Sequence, residues 1–333
     1  MRVEIRPVQV PDEIRSADDA DAADFADFVD VGNACAVQLW GNDDFVYSAI
    51  DELPSYRPSP FHLRMIELAR LDGLAVGCVS VVLPLEPDAT TAELDVRVVP
   101  GARGRGIGSA LLARGEELIA EGGRLHLTMY SEHVAGVPED GIPTVSAPTG
   151  AVALRADDPA VRFARAHGYR LGQVDVMSAL AVPLPPSLAE RLERETWGHA
   201  TGYRTVSWWR HCPDELVDGY AQARAQMVHD VPREGITLDA EQWDIRRVRD
   251  YEERLYARAE PLLTTAALDE AIGEFAAYTE IAVPTQTRTA RCERSTTRSA
   301  QRRWAMRRTG RSRSQPPEPA IRPAPPMRRR PRR

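Results

Sequence analysis

The chain has 333 residues, enough for about two domains of ordinary size, and its 43% apolar and 27% charged residues suit a soluble globular protein. No run nears the ~20 apolar residues that span a bilayer, the opening MRVEIRPVQVPDE has no apolar leader core, and Cys35, Cys78, Cys212 and Cys292 are too scattered for a disulfide framework or a zinc site; a cytoplasmic protein with no membrane partner and no metal is expected. The net charge of −7 hides an asymmetry, because residues 291–333 hold 15 Arg against Glu293 and Glu318, a local +13, and the 290 residues before them carry −20.

Taken in chain order, VEIRPVQV (3–10) alternates and predicts a strand. Residues 19–40 place Phe25, Phe28, Val29, Cys35, Ala36 and Leu39 at helical spacing. Residues 61–84 read as two strands around the turn Asp72-Gly73, and 91–99 as a third. A helix over 104–121 has Ile107, Ala110, Leu111, Leu118 and Ile119 on its apolar side, and RLHLTMY (124–130) is a buried strand. Residues 132–156, rich in Pro, Gly and Thr, form a long loop. Asp157 or Asp158 caps a helix that starts at Pro159 and runs to His167; Gly168 ends it, and 169–182 return as a strand or hairpin. A strand–helix–strand crossover inside an otherwise hairpin-connected run implies an α/β protein of the α+β mixed-sheet kind, mostly antiparallel, with helices on both faces.

After a Pro-led connector and helix (183–195) the order starts again: a strand at 202–209, helices at 213–228 and 239–259, and a hairpin of 261–268 with 273–284. The domains expected are therefore 1–183, a partial second copy over 184–290, and a disordered Arg/Pro-rich tail over 291–333. The tail has no Leu, Val, Phe or Tyr with which to offset its ordering entropy. All 42 basic residues of the chain are Arg, and Arg, Ala, Gly and Pro codons are rich in G and C, which points to a GC-rich bacterial gene. An Arg/Pro/Ser tail is what such a gene yields in a shifted frame, so a frameshift near codon 290 is expected, with a genuine basic tail as the alternative. The tail would hold phosphate polymers without sequence preference; Trp304 is its only aromatic residue, and no specific nucleic-acid partner is expected. A half module leaves an open sheet edge, which makes a second copy of the chain an expected partner.

The chemistry concentrates in VVPGARGRGIGSALL (98–112). A strand ends, Pro100 and Gly101 turn the chain, and a helix begins. The glycines let several backbone N–H groups point outward together and let a ligand approach the backbone closely. The helix N-terminus adds partial positive charge, and the combination makes a pyrophosphate cradle. A dinucleotide fingerprint would follow the first strand in a different glycine order, and a P-loop needs a Lys this chain lacks. The bland alternative is a glycine-rich turn that only starts a helix.

Residues 98–112 resemble motif A of the GNAT N-acetyltransferase superfamily, Gln/Arg-x-x-Gly-x-Gly/Ala, filled by Arg103, Gly106 and Gly108. AVRFARAHGY (160–169) resembles the family's later helix with its Gly-aromatic end. The likeness covers 1–182 in full, and 200–284 resemble the first part of a second such module, as in tandem actinobacterial members. The resemblance implies a GNAT-like fold and a transferase acting on acetyl-CoA as co-substrate. Its fourth strand would splay from the fifth so that the pantetheine arm lies between them. Val98 and Val99 would offer backbone groups to that arm, and the amides of Arg103, Gly104, Arg105, Gly106, Ile107, Gly108 and Ser109 would hold the pyrophosphate.

The reaction implied is direct attack of a small-molecule amine on the thioester in a ternary complex. It needs a base, an oxyanion donor and an acid. Glu93 and Asp95, on the polar face of the fourth strand, are the base candidates, against an exposed face paired to Arg97. A backbone N–H near Val98 would serve the oxyanion. The family's Tyr is missing at Phe163-Ala164, which leaves Tyr130 as the acid candidate or a packing residue. Tyr169 and His126 read as structural. A non-catalytic acyl-CoA binding or sensing module is the alternative function, and the loop after the fifth strand is expected to shape the acceptor pocket.

Overall fold

The computed structural model describes residues 3–16, 18–134, 141–148, 152–230 and 235–284 and the backbone of one later strand, 302–308. The alternating N-terminal segment forms β1 (Val3–Pro7). A short 3-10 turn capped by Asp19 leads into α1 (Ala23–Trp40), which Gly41 ends in a left-handed conformation. Next comes a helix the sequence reading missed, α2 (Ala49–Tyr56): Ser48 caps it, and the interior Pro54 masks its helical signal. β2 (His62–Leu71) and β3 (Leu74–Pro84) turn at Asp72-Gly73 as predicted, followed by β4 (Thr91–Val98), α3 (Ile107–Glu121) and β5 (His126–Met129).

The long loop carries two short paired strands, β6 (Thr144–Ser146) and β7 (Ala153–Arg155), that periodicity could not show. Asp158 caps α4 (Pro159–Ala166), and β8 (Tyr169–Val176) ends before the predicted 182. The second half holds α5 (Pro186–Trp197), β9 (Tyr203–Trp209), α6 (Val217–Asp230), α7 (Ile245–Ala257), β10 (Leu262–Asp269) and β11 (Phe275–Ala282). The helix predicted over 239–259 starts only at Ile245, because Asp244 is extended and caps it. Of the tail expected to be disordered, the backbone of Arg302–Arg308 forms β12; the rest of 291–333 lies outside the described residues.

The main sheet runs β1-β2-β3-β4-β5-β12-β8, with β4 and β5 parallel and the other pairs antiparallel. A second sheet runs β11-β10-β9. This is the mixed, mostly antiparallel sheet flanked by helices that the element order implied. One face buries Val79, Val81, Leu94, Leu111, Leu112 and Val161 under α3 and α4. The other packs Phe25, Phe28, Leu53, Ile66 and Leu68 under α1 and α2, with the Tyr56 ring edge-on to Phe25 and Phe28.

α3 lies close on the sheet at Gly115. A Cβ there would meet Leu94 Cδ1 at 2.2 Å and Val79 Cγ2 at 2.9 Å. Gly115→Val is therefore expected to lower stability by about 3 kcal/mol through overpacking, read as a fall in the denaturation midpoint with unchanged slope.

Candidate active site

β3 pairs with β4 along its length, to Gly77 opposite Val98, but β5 pairs with β4 only from Thr91 opposite His126 to Leu94 opposite Met129. Past Leu94 the two parallel strands part, and, among the described residues, 95–98 have no strand partner on that side. The Val99 amide donates to Val76 O (3.0 Å), on the β3 side. By strand alternation the Val98 and Val96 backbone groups face the gap. Val98 O there accepts from Arg103 Nε (2.9 Å) and Cys35 Sγ (3.5 Å). Of the two valines named from the sequence, only Val98 turns its backbone to the opening.

Pro100–Ala102 form a 3-10 turn that the Arg103 amide closes onto Pro100 O (3.3 Å). The exposed Arg103 side chain turns back from the loop and bridges Val98 O to Gln38 Oε1 (2.9 Å) on α1. Gly104 and Gly106 have φ of +74° and +80°, which suits glycine, and Gly106 caps α3 without a side-chain bond. Among the described residues the amides of Gly104, Arg105, Gly106, Ile107, Gly108 and Ser109 donate to no protein acceptor. Helix geometry leaves the first of these N–H groups unmet, and they converge with the helix's partial positive charge on open space. A Cβ at Gly104 or Gly106 would meet nothing within 4 Å, whereas one at Gly108 would stand 3.2 Å from Phe163 Cε2 and 3.7 Å from Val98 Cγ2. Gly108 thus presses the first turn of α3 onto the open end of β4, and the residues present fit a pyrophosphate.

At the other end of the gap, Tyr130 Oη donates to Glu93 Oε1 (3.3 Å), so the acid and one base candidate meet. Asp95 instead pairs with Arg97 (2.7 Å). Tyr169 is buried and donates to Glu116 (2.8 Å), the structural role expected, and Ala164 is 1% exposed, deep in the core. Two histidines that the sequence reading passed over frame the site. His167 Nε2 meets Ser109 Oγ (2.9 Å) while its Nδ1 meets Phe163 O (2.8 Å), clipping α4 to the cradle. His133, 4% exposed, joins Ser131 to Asp158, the α4 cap, and so ties the segment after β5 to that helix. Neither role has a local signal, since the partner that ties each to the site, Ser109 for His167 and Asp158 for His133, lies elsewhere in the chain.

The second module packs on the side of β4 that bears Glu93. Arg254 of α7 donates to Pro58 O (2.8 Å), Arg258 pairs with Glu52 of α2 (3.0 Å), and Arg247 pairs with Glu86. Asp239 accepts from the Thr90 and Thr91 amides (2.8 Å each) and from both hydroxyls (3.0 and 2.6 Å). Burial raises its pKa, but these bonds outweigh it and hold the carboxylate below its usual value.

His62 opens β2 at this interface. Burial first, then Arg64, Arg254 and Arg247, lower its pKa to about 4, with Asp250 opposing. The folded imidazole stays neutral where the unfolded one, near 6.5, takes up a proton. Stability is therefore expected to be flat with respect to this group above pH 6.5 and to fall as pH drops from 6.5 toward 4. Denaturation midpoints across that range should show the slope, and His62→Gln should flatten it.

A mixed sheet opened between two parallel strands, with an amide-lined helix N-terminus at the mouth, is an acyltransferase-type fold. Residues 34–135, which span the gap and the cradle, match the family described as Acetyltransferase (GNAT) family, and the first module is a GNAT domain. No curated protein matches the chain in sequence. Among solved structures, it is similar to a tandem GNAT protein from the clavulanic acid biosynthesis pathway, solved without acetyl-CoA, at 23% identity over 84% of this chain and 74% of that one, with a TM-score of 0.53. That likeness shows the fold. An N-acetyltransferase from Thermoplasma acidophilum in complex with coenzyme A (16% identity, 51% of this chain and 91% of that, TM-score 0.33) matches more weakly. So does an acetyltransferase structure from Salmonella typhimurium with acetyl-CoA (18%, 55% and 86%, TM-score 0.34).

Proposed function

We propose that the first module is an N-acetyltransferase that moves an acetyl group from acetyl-CoA to the amine of a small molecule. The observation that carries this reading is the run of amides from Gly104 to Ser109, with no protein acceptor among the described residues, at the mouth of the β4–β5 gap. Those amides bind the pyrophosphate, and the Val98 carbonyl, released by Arg103, receives an N–H of the arm. The Val96 N–H, facing the gap, is placed to stabilise the oxyanion.

Glu93 takes the ammonium proton, directly or through one water, and frees the nitrogen lone pair for attack on the thioester carbon. When the tetrahedral adduct collapses, the C–S bond breaks and Tyr130 gives its proton to the leaving thiolate. Glu93 gives its first proton to solvent, then takes the nitrogen's second proton and passes it across the 3.3 Å bond to the Tyr130 phenolate. One proton is released in total, as the conversion of an ammonium and a thioester to an amide and a thiol requires.

The Glu93–Tyr130 contact favours this over the non-catalytic binding or sensing reading, which has no use for it. Two measurements test it together. Calorimetry should show acetyl-CoA binding, and thiol release should depend on an added amine. Binding with no release from any amine would leave the sensing module; no binding at all would sink both.

A further inference from the structure

We propose that the second module completes the acceptor end of this site, and that the preferred amine carries a second positive charge on a short tail. This rests on the acetyl-transfer reading and adds the acceptor's class to it.

A cavity of about 70 Å³ lies at the start of β4, beyond the point where β4 and β5 part. Thr91, Glu93 and Thr128 of the first module line it, and Leu238, Asp239 and Glu241 of the second close it. An amine nitrogen at Glu93 would have the thioester on one side and this cavity on the other. Asp239 pins its segment to Thr90 and Thr91 by four hydrogen bonds, so the wall is fixed to the strand that bears Glu93.

Besides Glu93, three carboxylates line the cavity: Asp239, held by Thr90 and Thr91, Glu241, which accepts from Trp243 Nε1 (2.8 Å) and lies 3.5 Å from Arg247, and Glu86, which shares that same Arg247. Glu86 uses one oxygen for that pair; its Oε2 is buried and has no hydrogen-bond partner among the described residues. A buried carboxylate oxygen left unmet is costly, and a ligand ammonium placed there would satisfy it. Glu86 lies in the first module, within the matched residues 34–135, while Glu241 comes from the second, so recognition of the tail is shared between the two halves.

The test compares 1,3-diaminopropane with n-butylamine, which has the same number of heavy atoms and one charge fewer, by thiol release from acetyl-CoA with the full chain. The diamine should show a kcat/KM at least 10-fold higher. Glu86→Gln and Glu241→Gln should each cut that preference to within about 3-fold, mainly through KM for the diamine. Acetyl-CoA affinity, read by calorimetry, should stay as in the parent. The first variant could loosen the pair with Arg247, and the second, across the interface, serves as an independent check. Equal kcat/KM for the two amines in the parent, or a preference that survives both substitutions, overturns the proposal and leaves acetyl transfer standing. Absence of thiol release with either amine, despite acetyl-CoA binding, overturns it together with the acetyl-transfer reading.

Discussion

Gly106→Glu should raise the dissociation constant for acetyl-CoA at least 100-fold, about 3 kcal/mol, on a protein that remains folded. Three features of the site give this effect. The residue caps α3, its Cβ would point into space that no protein atom fills within 4 Å, and the neighbouring amides present partial positive charge to that space. A carboxylate there occupies the cradle and repels a pyrophosphate. The left-handed φ of +80° adds a folding cost of about 1–2 kcal/mol for a residue with a Cβ. Gly106→Asn separates the two effects, since Asn tolerates that φ and brings no charge. It should keep more affinity than the Glu variant. Unchanged affinity in a folded Gly106→Glu protein, with circular dichroism as in the parent, would place the site elsewhere.

Loss of the proton acceptor should be the next largest effect. Glu93→Gln is expected to lower kcat about 10²-fold with acetyl-CoA binding intact. The rate should recover in part at high pH, where more of the amine is already neutral. Asp95→Asn should do less, because the Asp95 carboxylate is held by Arg97 at 2.7 Å. Tyr130→Phe should slow release of the thiolate by about tenfold or more without shifting the alkaline recovery. Full activity at pH 7 in both Glu93→Gln and Asp95→Asn would hand deprotonation to a water chain or another residue.

The cradle was legible in the sequence because it is local. Residues 100–109 are contiguous, the positive φ angles demand glycine at Gly104 and Gly106, and a helix start leaves its first amides unmet whatever surrounds it. The order of strands and helices was legible for the same reason: β2 and β3 turn at Asp72-Gly73, and α4 starts at a capping Asp158 followed by Pro159. Elements without a strong local signal were not. α2 hides behind Pro54, and the residues before Ile245 are extended because their work is non-local: Asp239 is spent on Thr90 and Thr91, 149 and 148 residues away in the chain.

The sequence by itself determined the class of sheet, the place of the glycine loop after the fourth strand, and a short list of acids on β4. The partners of those acids came from the tertiary structure alone. It set Glu93 against Tyr130 and Asp95 against Arg97, took Val99 out of the opening by its bond to Val76, and brought Glu241 of the second module to the same cavity as Glu93. Backbone conformation is written in neighbouring residues, whereas the ionisation and reach of a side chain depend on what folding brings beside it, and those partners lie tens to hundreds of positions apart.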